Sequence, residues 1–319
     1  MLQILIYFIN LLIMLIMVLI LNLISVAFLT LYERKIMGGF HYRKGPNKNF
    51  IIGIFQPFND AIKLLGKEYF FPKKSILLIY LMSPMIMFIL SLLMWLVYPF
   101  FTNLLNFNFS MLYFFTLMSM GVYGLILAGW ASNSSFSMIG SIRSIAQSIS
   151  YEVIFAITIL IMFMLINSLN LFSLKVFNYY INFFFFFFPL MIMILISMLA
   201  EINRTPFDLS EGESELVSGF NVEYSSSKFI LIFLAEYMSL MFMMFLFSFM
   251  FLNNYDFELI FYFKVIFMIF WITWIRMTYP RIRYDKLMKF CWMYLLPLVL
   301  LMFMNYMINM KLIIDMVIL

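Results

Sequence analysis

Residues 1–31, MLQILIYFINLLIMLIMVLILNLISVAFLTL, carry no charged side chain, and Glu33, Arg34 and Lys35 follow almost at once. As a helix this run measures about 46 Å, more than the ~30 Å hydrocarbon core of a bilayer. It predicts a first membrane-spanning helix near 4–31. The run is too long for a signal-peptide core and has no small-residue cleavage site, so the expectation is a span that is kept.

The rest of the chain repeats the pattern. Of 319 residues, 66% are hydrophobic and 11% are charged. A soluble domain carries about 25% charged residues, so soluble, disordered and nucleic-acid-binding readings are excluded despite the net charge of +5. The basic excess reads instead as membrane topology. Uncharged or nearly uncharged runs predict further spans near 76–99, 110–130, 152–169, 180–201, 229–252, 256–275 and 290–310. The fold class is therefore all-α, a polytopic membrane protein of about eight spans, with 1–319 as a single integral membrane domain. Pro189 lies inside the fifth predicted span, where a kink is expected. Gly124 and Ala128 form a small-xxx-small pair, a packing signal between spans. Without an internal repeat, an inverted-repeat transporter finds no support.

With eight spans, the connectors 33–75, third-to-fourth, 201–228 and seventh-to-eighth share one face, and 17 of the 20 basic residues fall on them. Lys175, Lys264 and Lys311 are the exceptions. The asymmetry puts both termini on the face opposite the basic one.

One Cys and one His narrow the chemistry. Cys291 alone cannot hold an iron–sulfur cluster, which takes about four thiolates, and His41 alone cannot give a bis-histidine haem site. Cys291, in an apolar run, reads as an inert packed thiol. No Walker motif, dinucleotide glycine fingerprint or nucleophile motif occurs. The expectation is a chain that binds neither nucleotide nor redox metal itself. Met reaches 31, Phe 42 and Tyr 19. This bias toward A/T-rich codons points to an organellar gene. Phe183–Phe188, six phenylalanines in a row, reads as lipid-facing packing.

Within connector 33–75, the stretch Phe50–Glu68 places Ile51, Ile54, Phe55, Phe58, Ile62 and Leu65 at helical spacing, with Asp60, Lys63 and Lys67 largely elsewhere. This is an amphipathic helix at the membrane interface, kinked or divided at Pro57. It is either a surface anchor or one wall of an entrance for a lipid-like ligand. Asp60 favours the second, because an acid gains nothing from anionic lipid.

The segment 201–224 holds Glu201, Asp208, Glu211, Glu213, Glu215 and Glu223, six of the fifteen acids, with Arg204 as its one cation. Thr205 is expected to cap a helix beginning at Pro206, which would bring Asp208, Glu211 and Glu215 onto one face before a bend at Gly212. Crowded carboxylates near a membrane resist simultaneous ionisation, the property a proton relay needs. The alternatives are a solvated loop that docks a basic partner, or a cation ring, for which the ligand spacing is wrong. Glu152 and Glu236 lie in or beside spans and are candidates for the same path, or for single structural hydrogen bonds. Arg143, at helical spacing from Gln147 and Tyr151, reads first as a structural partner for a carboxylate and second as a residue that tunes a proton path. The loop Arg276–Lys286 mixes Arg and Tyr, either to hold the basic face or to close the polar end of a cavity.

Residues 33–47 (ERKIMGGFHYRKGPN), 56–63 (QPFNDAIK), 129–134 (GWASNS), 143–152 (RSIAQSISYE), the segment 203–224 and 280–285 (PRIRYD) span nearly the whole chain in order. Together they resemble the NADH dehydrogenase subunit 1 family, the quinone-site membrane subunits of respiratory complex I, in the mitochondrially encoded form. His41 and Lys286 stand where that family usually has Gln, and Ile202 where it has a small hydroxyl residue.

The resemblance implies a chain in the mitochondrial inner membrane, with basic connectors on the matrix side and both termini toward the intermembrane space. Its partners are the other membrane-arm and peripheral-arm subunits, lipids and ubiquinone, with no nucleic acid. NADH, flavin and iron–sulfur clusters are handled by partner subunits, and no metal or covalent cofactor is held here. The resemblance assigns Arg34, Phe58, Asp60, Lys63 and Arg283 to the quinone channel. It assigns Glu152, Glu201, Asp208, Glu211, Glu213, Glu215, Glu223 and Glu236 to a path coupling quinone reduction to proton translocation, with Arg143 and Arg204 as structural partners. A subunit of a related membrane-bound hydrogenase, or a membrane anchor without a proton path, are the alternatives.

Overall fold

The computed structural model describes residues 2–100, 107–180, 182–210, 212, 219–252 and 259–318. The described elements are helical throughout. Helix α1 (Leu2–Phe40) is followed by the short α2 (Gln56–Leu65), then α3 (Leu77–Met94), α4 (Ser110–Ser132) and α5 (Ser135–Ile166). The second half holds α6 (Leu171–Tyr180), α7 (Phe183–Phe186), α8 (Phe188–Glu201), α9 (Ser226–Phe251), α10 (Leu259–Thr278), α11 (Tyr284–Lys289) and α12 (Leu296–Ile318). A π-helical turn, Phe290–Leu295, joins the last two. Among the described residues seven helical stretches are long and apolar enough to cross a membrane, and α8 is a shorter apolar helix.

The predicted spans are recovered with four revisions. First, α1 does not stop near residue 31. Its 39 residues, about 58 Å of helix, carry Glu33 and Arg34 on the same rigid rod as the first span. The chain then doubles back: Arg43 N–H donates to the Gly38 carbonyl at 2.9 Å, and a Cβ on Gly38 would meet the Gly45 nitrogen at 2.9 Å. Only glycine allows that crossing.

Second, α5 begins at Ser135, not near 152, so the third-to-fourth connector is reduced to residues 133–134 and Arg143 lies within a helix. The reason is visible in the buried face. Ser137, Gly140, Ser141, Ser144, Gln147, Ser148 and Tyr151 recur at helical spacing and are buried. Small polar residues do there what large apolar ones do elsewhere, letting neighbouring backbones approach closely. Asn133 and Asn167, both left-handed, end α4 and α5.

Third, the fifth predicted span is broken into α7 and α8, and Pro189 sits in the first turn of α8 rather than kinking a continuous helix. Proline suits that position because the first-turn N–H has no helical partner. Of the phenylalanine run, Phe183 and Phe187 are buried, while Phe185, Phe186 and Phe188 are exposed, so the run is only partly lipid-facing. Fourth, the interfacial helix is confined to Gln56–Leu65, with Pro57 in its first turn and an irregular turn, Ile51–Gly53, before it. Proline starts the helix instead of kinking it.

Helix α3 packs on α4 and α9, α4 on α5, and α5 on α8, which makes these five the centre. Gly124 supports the first pair: a Cβ there would lie 2.5 Å from Met87 Cγ. Phe114, Phe155 and Phe242 are buried together at the middle of this group. Helix α1 is peripheral, with Leu5, Phe8, Leu12, Ile13 and Met17 exposed. A continuous apolar surface of that kind has hydrocarbon as its solvent.

Candidate functional site

Two groups of polar residues meet at the far end of α1. On its outer side Arg34 forms an ion pair with Asp60 of α2. Gln56, one turn before Asp60, donates from Nε2 to Asp60 Oδ1 at 2.7 Å. Helix α2 lies against α1 and α9, yet it has no buried residue. Phe58 makes an edge contact with Phe28 of α1 at 6.1 Å and a second ring contact with Phe55. Ile62, Lys63 and Leu65 are exposed. The result is an apolar ramp beside a charged pair. Arg283, expected in the same group, instead pairs at 3.0 Å with its neighbour Asp285, both well exposed. No contact joins it to Arg34 or Asp60 among the described residues.

On the inner side of α1, Glu33 is 4% exposed. Arg276 at the end of α10 donates to its Oε1, and Tyr237 of α9 donates to Oε2 at 2.6 Å. Arg204 Nη1 lies 3.7 Å from the same carboxylate, and its guanidinium stacks 4.5 Å from the Tyr237 ring centre. Burial works against the charge on Arg204, but Tyr237, Glu33 and Glu236 outweigh it and raise the pKa above the ordinary arginine value. Asp208 is buried and takes a 3.0 Å bond from Arg281.

From this cluster a polar line runs inward. A small cavity is bordered by Asn203, Arg204, Thr205, Asp208, Glu236 and Arg276. Glu236 also borders a second cavity of about 100 Å³, together with Ser91, Ser148, Glu201, Asn203 and Ser239. That volume accommodates several waters. Buried atoms of Glu201, Asn203 and Thr205 face these spaces with no hydrogen-bond partner among the described residues. Glu152 on α5 is close enough for its charge to act on Glu201.

Among the described residues no helix begins at Pro206. Residues 202–210 form turns, and the Thr205 hydroxyl caps nothing. Gln147 supplies the order instead, donating from Nε2 to the carbonyls of Ala200 at 2.8 Å and Phe207 at 2.7 Å. Two side-chain bonds thus hold residues 200–207 against α5. Glu211, Glu213 and Glu215 lie outside the described residues. Glu223 borders neither cavity. It sits beside the stacked rings of Tyr80 and Tyr224, its carbonyl accepting from Tyr80 Oη at 2.5 Å. Burial pushes the Tyr224 hydroxyl up to about 12. Arg143 is half-buried on α5, outside both cavity linings.

Sequence reading singled out Glu152, Glu201, Asp208 and Glu236 but missed Glu33, Tyr237, Gln147, Arg276 and Arg281 as partners. Glu33 carried a usable signal, being the first charge after 32 uncharged residues. Arg276 and Arg281 sit among basic residues that topology alone explains. Cys291 is buried as expected, its thiol donating to the Ser150 carbonyl at 3.4 Å.

This is an all-α polytopic membrane protein in which buried and half-buried carboxylates lie between a charged surface pair and the centre of the helix bundle. The chain belongs to the NADH dehydrogenase family, whose model matches residues 13–307. Relatives carrying the name NADH-ubiquinone oxidoreductase chain 1 are similar over most of their length. The one from Locusta migratoria is 50% identical over 276 residues, covering 86% of this chain and 88% of that protein. The one from Apis mellifera ligustica is 48% identical over 301 residues, or 94% and 97%. The one from Hylobates lar is 44% identical over 292 residues, or 89% and 92%.

Proposed function

We propose that this chain is a core membrane subunit of the proton-pumping NADH:ubiquinone oxidoreductase, working among the other subunits of that complex in the mitochondrial inner membrane. It forms the access channel for ubiquinone, the substrate, and an acidic path that couples quinone reduction to proton translocation. The observation that carries this reading is the pair of adjoining cavity linings that leads from Glu201 through Glu236 to Arg204, Asp208 and Arg276, in an interior where an unpaired charge is costly. The exposed apolar face of α2 beside Arg34 and Asp60 suits a long apolar tail with a polar head. With Glu33 fixed by two arginines, Glu201 and Glu236, which border the larger cavity, are the residues this reading puts on the proton path.

Quinone reduction consumes two electrons and two protons. The change of charge alters the proton affinity of nearby carboxylates, and acids along a hydrated path pass that change onward. Iron–sulfur chemistry belongs to partner subunits, because one cysteine and one histidine cannot supply the ligands, and NADH and flavin are assigned to partner subunits with it, the sequence having no dinucleotide glycine fingerprint. The basic connectors face the matrix, and both termini face the intermembrane space.

The test is Glu201→Gln in the assembled complex. Loss of coupled turnover, with the complex still assembled, is the expected outcome. Normal NADH:quinone turnover with normal pumping would remove Glu201 from the path. A membrane anchor without a proton path predicts that normal result for Glu236→Gln as well.

A further inference from the structure

Lys228, in the first turn of α9, is 3% exposed. Its Nζ has no hydrogen-bond acceptor among the described residues. It is surrounded by three ring faces: Phe71 at 3.8 Å, Tyr80 at 4.0 Å and Tyr69 at 4.3 Å from the ring centres. The rings come from two different places. Tyr80 belongs to α3 and is fully buried, stacked on Tyr224 at 4.5 Å. This is the fixed side of the cage. Tyr69 and Phe71 belong to the connector after α2, pack edge to face at 4.7 Å, and are 48% and 37% exposed. This is the side that can leave.

Little else holds that connector. Its far end is tied to α4, by the Ile76 N–H to the Ala131 carbonyl at 3.1 Å and by Asn133 Nδ2 to the Lys74 carbonyl at 3.2 Å. Among the described residues no hydrogen bond runs from residues 67–71 to another element. Helix α2, just before, buries none of its residues. The cage is therefore the tether at the end of α2 that leads away from Arg34.

We propose that Lys228 is a positioning residue, a cation clamp that pins the 69–71 connector against α3 and α9 and so fixes α2 with its Asp60. An apolar side chain would fill the same space, but the ammonium adds attraction to each ring face, strongest where water is excluded. Opening forfeits that attraction: when Tyr69 and Phe71 move away, the ammonium keeps only the Tyr80 ring. The entrance is held shaped by a charge that never touches the ligand. This inference rests on the reading of α2 as an entrance wall.

The experiment compares Lys228→Met with Lys228→Arg in the assembled complex. Methionine keeps the stem and removes the charge, while arginine keeps the charge. Amide hydrogen exchange over residues 66–72 should accelerate about tenfold in Lys228→Met and return toward the native rate in Lys228→Arg. The KM for a long-tailed quinone should rise with kcat retained, and arginine should restore it. Phe71→Leu removes a ring from the exposed side and should reproduce the exchange change, which keeps the test valid where Lys228→Met fails to assemble. Unchanged exchange in both Lys228→Met and Phe71→Leu overturns the clamp, as does a Lys228→Arg result equal to Lys228→Met. Faster exchange with an unchanged KM upholds the clamp and removes the entrance reading of α2.

Discussion

Replacing Glu33 with glutamine tests the cluster at its most connected point. The change keeps the size of the side chain and one acceptor oxygen but removes the charge. The Arg276 bond falls from a charge-assisted one, worth about 1.5–3 kcal/mol, to a neutral one of about 1 kcal/mol. The attraction of Arg204 at 3.7 Å is lost, and that guanidinium is only 12% exposed. Removing one partner of a buried pair costs about 3–5 kcal/mol. The lower end applies here, because glutamine still accepts a bond and Arg276 is 29% exposed and partly solvated. The expected cost is about 3 kcal/mol, or roughly 100-fold faster amide exchange in α9 around Tyr237 where local opening governs the rate. Tyr237→Phe keeps the ring under Arg204 and removes the hydroxyl that donates to Glu33 at 2.6 Å and also interacts with Arg204, for about 1.5 kcal/mol. The two changes share one bond, so the double variant should cost less than the sum. Exchange in Glu33→Gln equal to that of the native complex would refute the reasoning, and strict additivity would show that the Tyr237 bond contributes nothing.

Two further outcomes follow from packing. Gly140→Ala sets a Cβ 2.9 Å from Gly219 Cα and 3.1 Å from the Phe220 nitrogen. Backbone has to move, so the variant should lose about 1–3 kcal/mol, read as reduced survival of the assembled complex on heating. Cys291 should react with a polar maleimide only after denaturation, because its thiol is fully buried. Cys291→Ala should keep full turnover and lose about 1 kcal/mol of stability.

The architecture was legible because lipid imposes a simple demand: about twenty apolar residues for each crossing. The pattern is not legible where burial is achieved by other chemistry. The first half of α5 buries serine, glycine and glutamine against protein, so a hydropathy reading takes Ser135–Ser150 for a loop. The capping motif at Thr205 was a sound local signal overridden by tertiary contacts, since Gln147 occupies the carbonyls of Ala200 and Phe207 and folds the segment as turns. For the site, the acids could be found in sequence because a carboxylate in an apolar run is conspicuous. Their arginine partners could not, because Arg276 and Arg281 are hidden within a basic loop that membrane topology already accounts for. The aromatic cage of Lys228 was out of reach for another reason. Its rings are separated from the lysine by roughly 150 residues and come from two segments whose approach only the fold determines.

Glu33 and Arg34 show how the two halves of the site are joined. Consecutive residues on a helix point about 100° apart, so one turns inward to Arg204, Arg276 and Tyr237 while the next turns outward to Asp60. A charge entering beside α2 acts first on Arg34 and Asp60, which are 45% and 29% exposed and therefore partly screened. Glu33, at 5%, is not. On the proposed reading, the same rod carries a screened pair at the entrance and an unscreened one at the mouth of the carboxylate line, with no flexible segment between them. Any displacement of α1 that relieves the outer pair must strain the inner one, because both are bonded to different helices, α2 on one side and α9 and α10 on the other. Coupling through this point needs no moving proton between the two groups. It needs only a helix too stiff to satisfy both sets of partners in two positions at once.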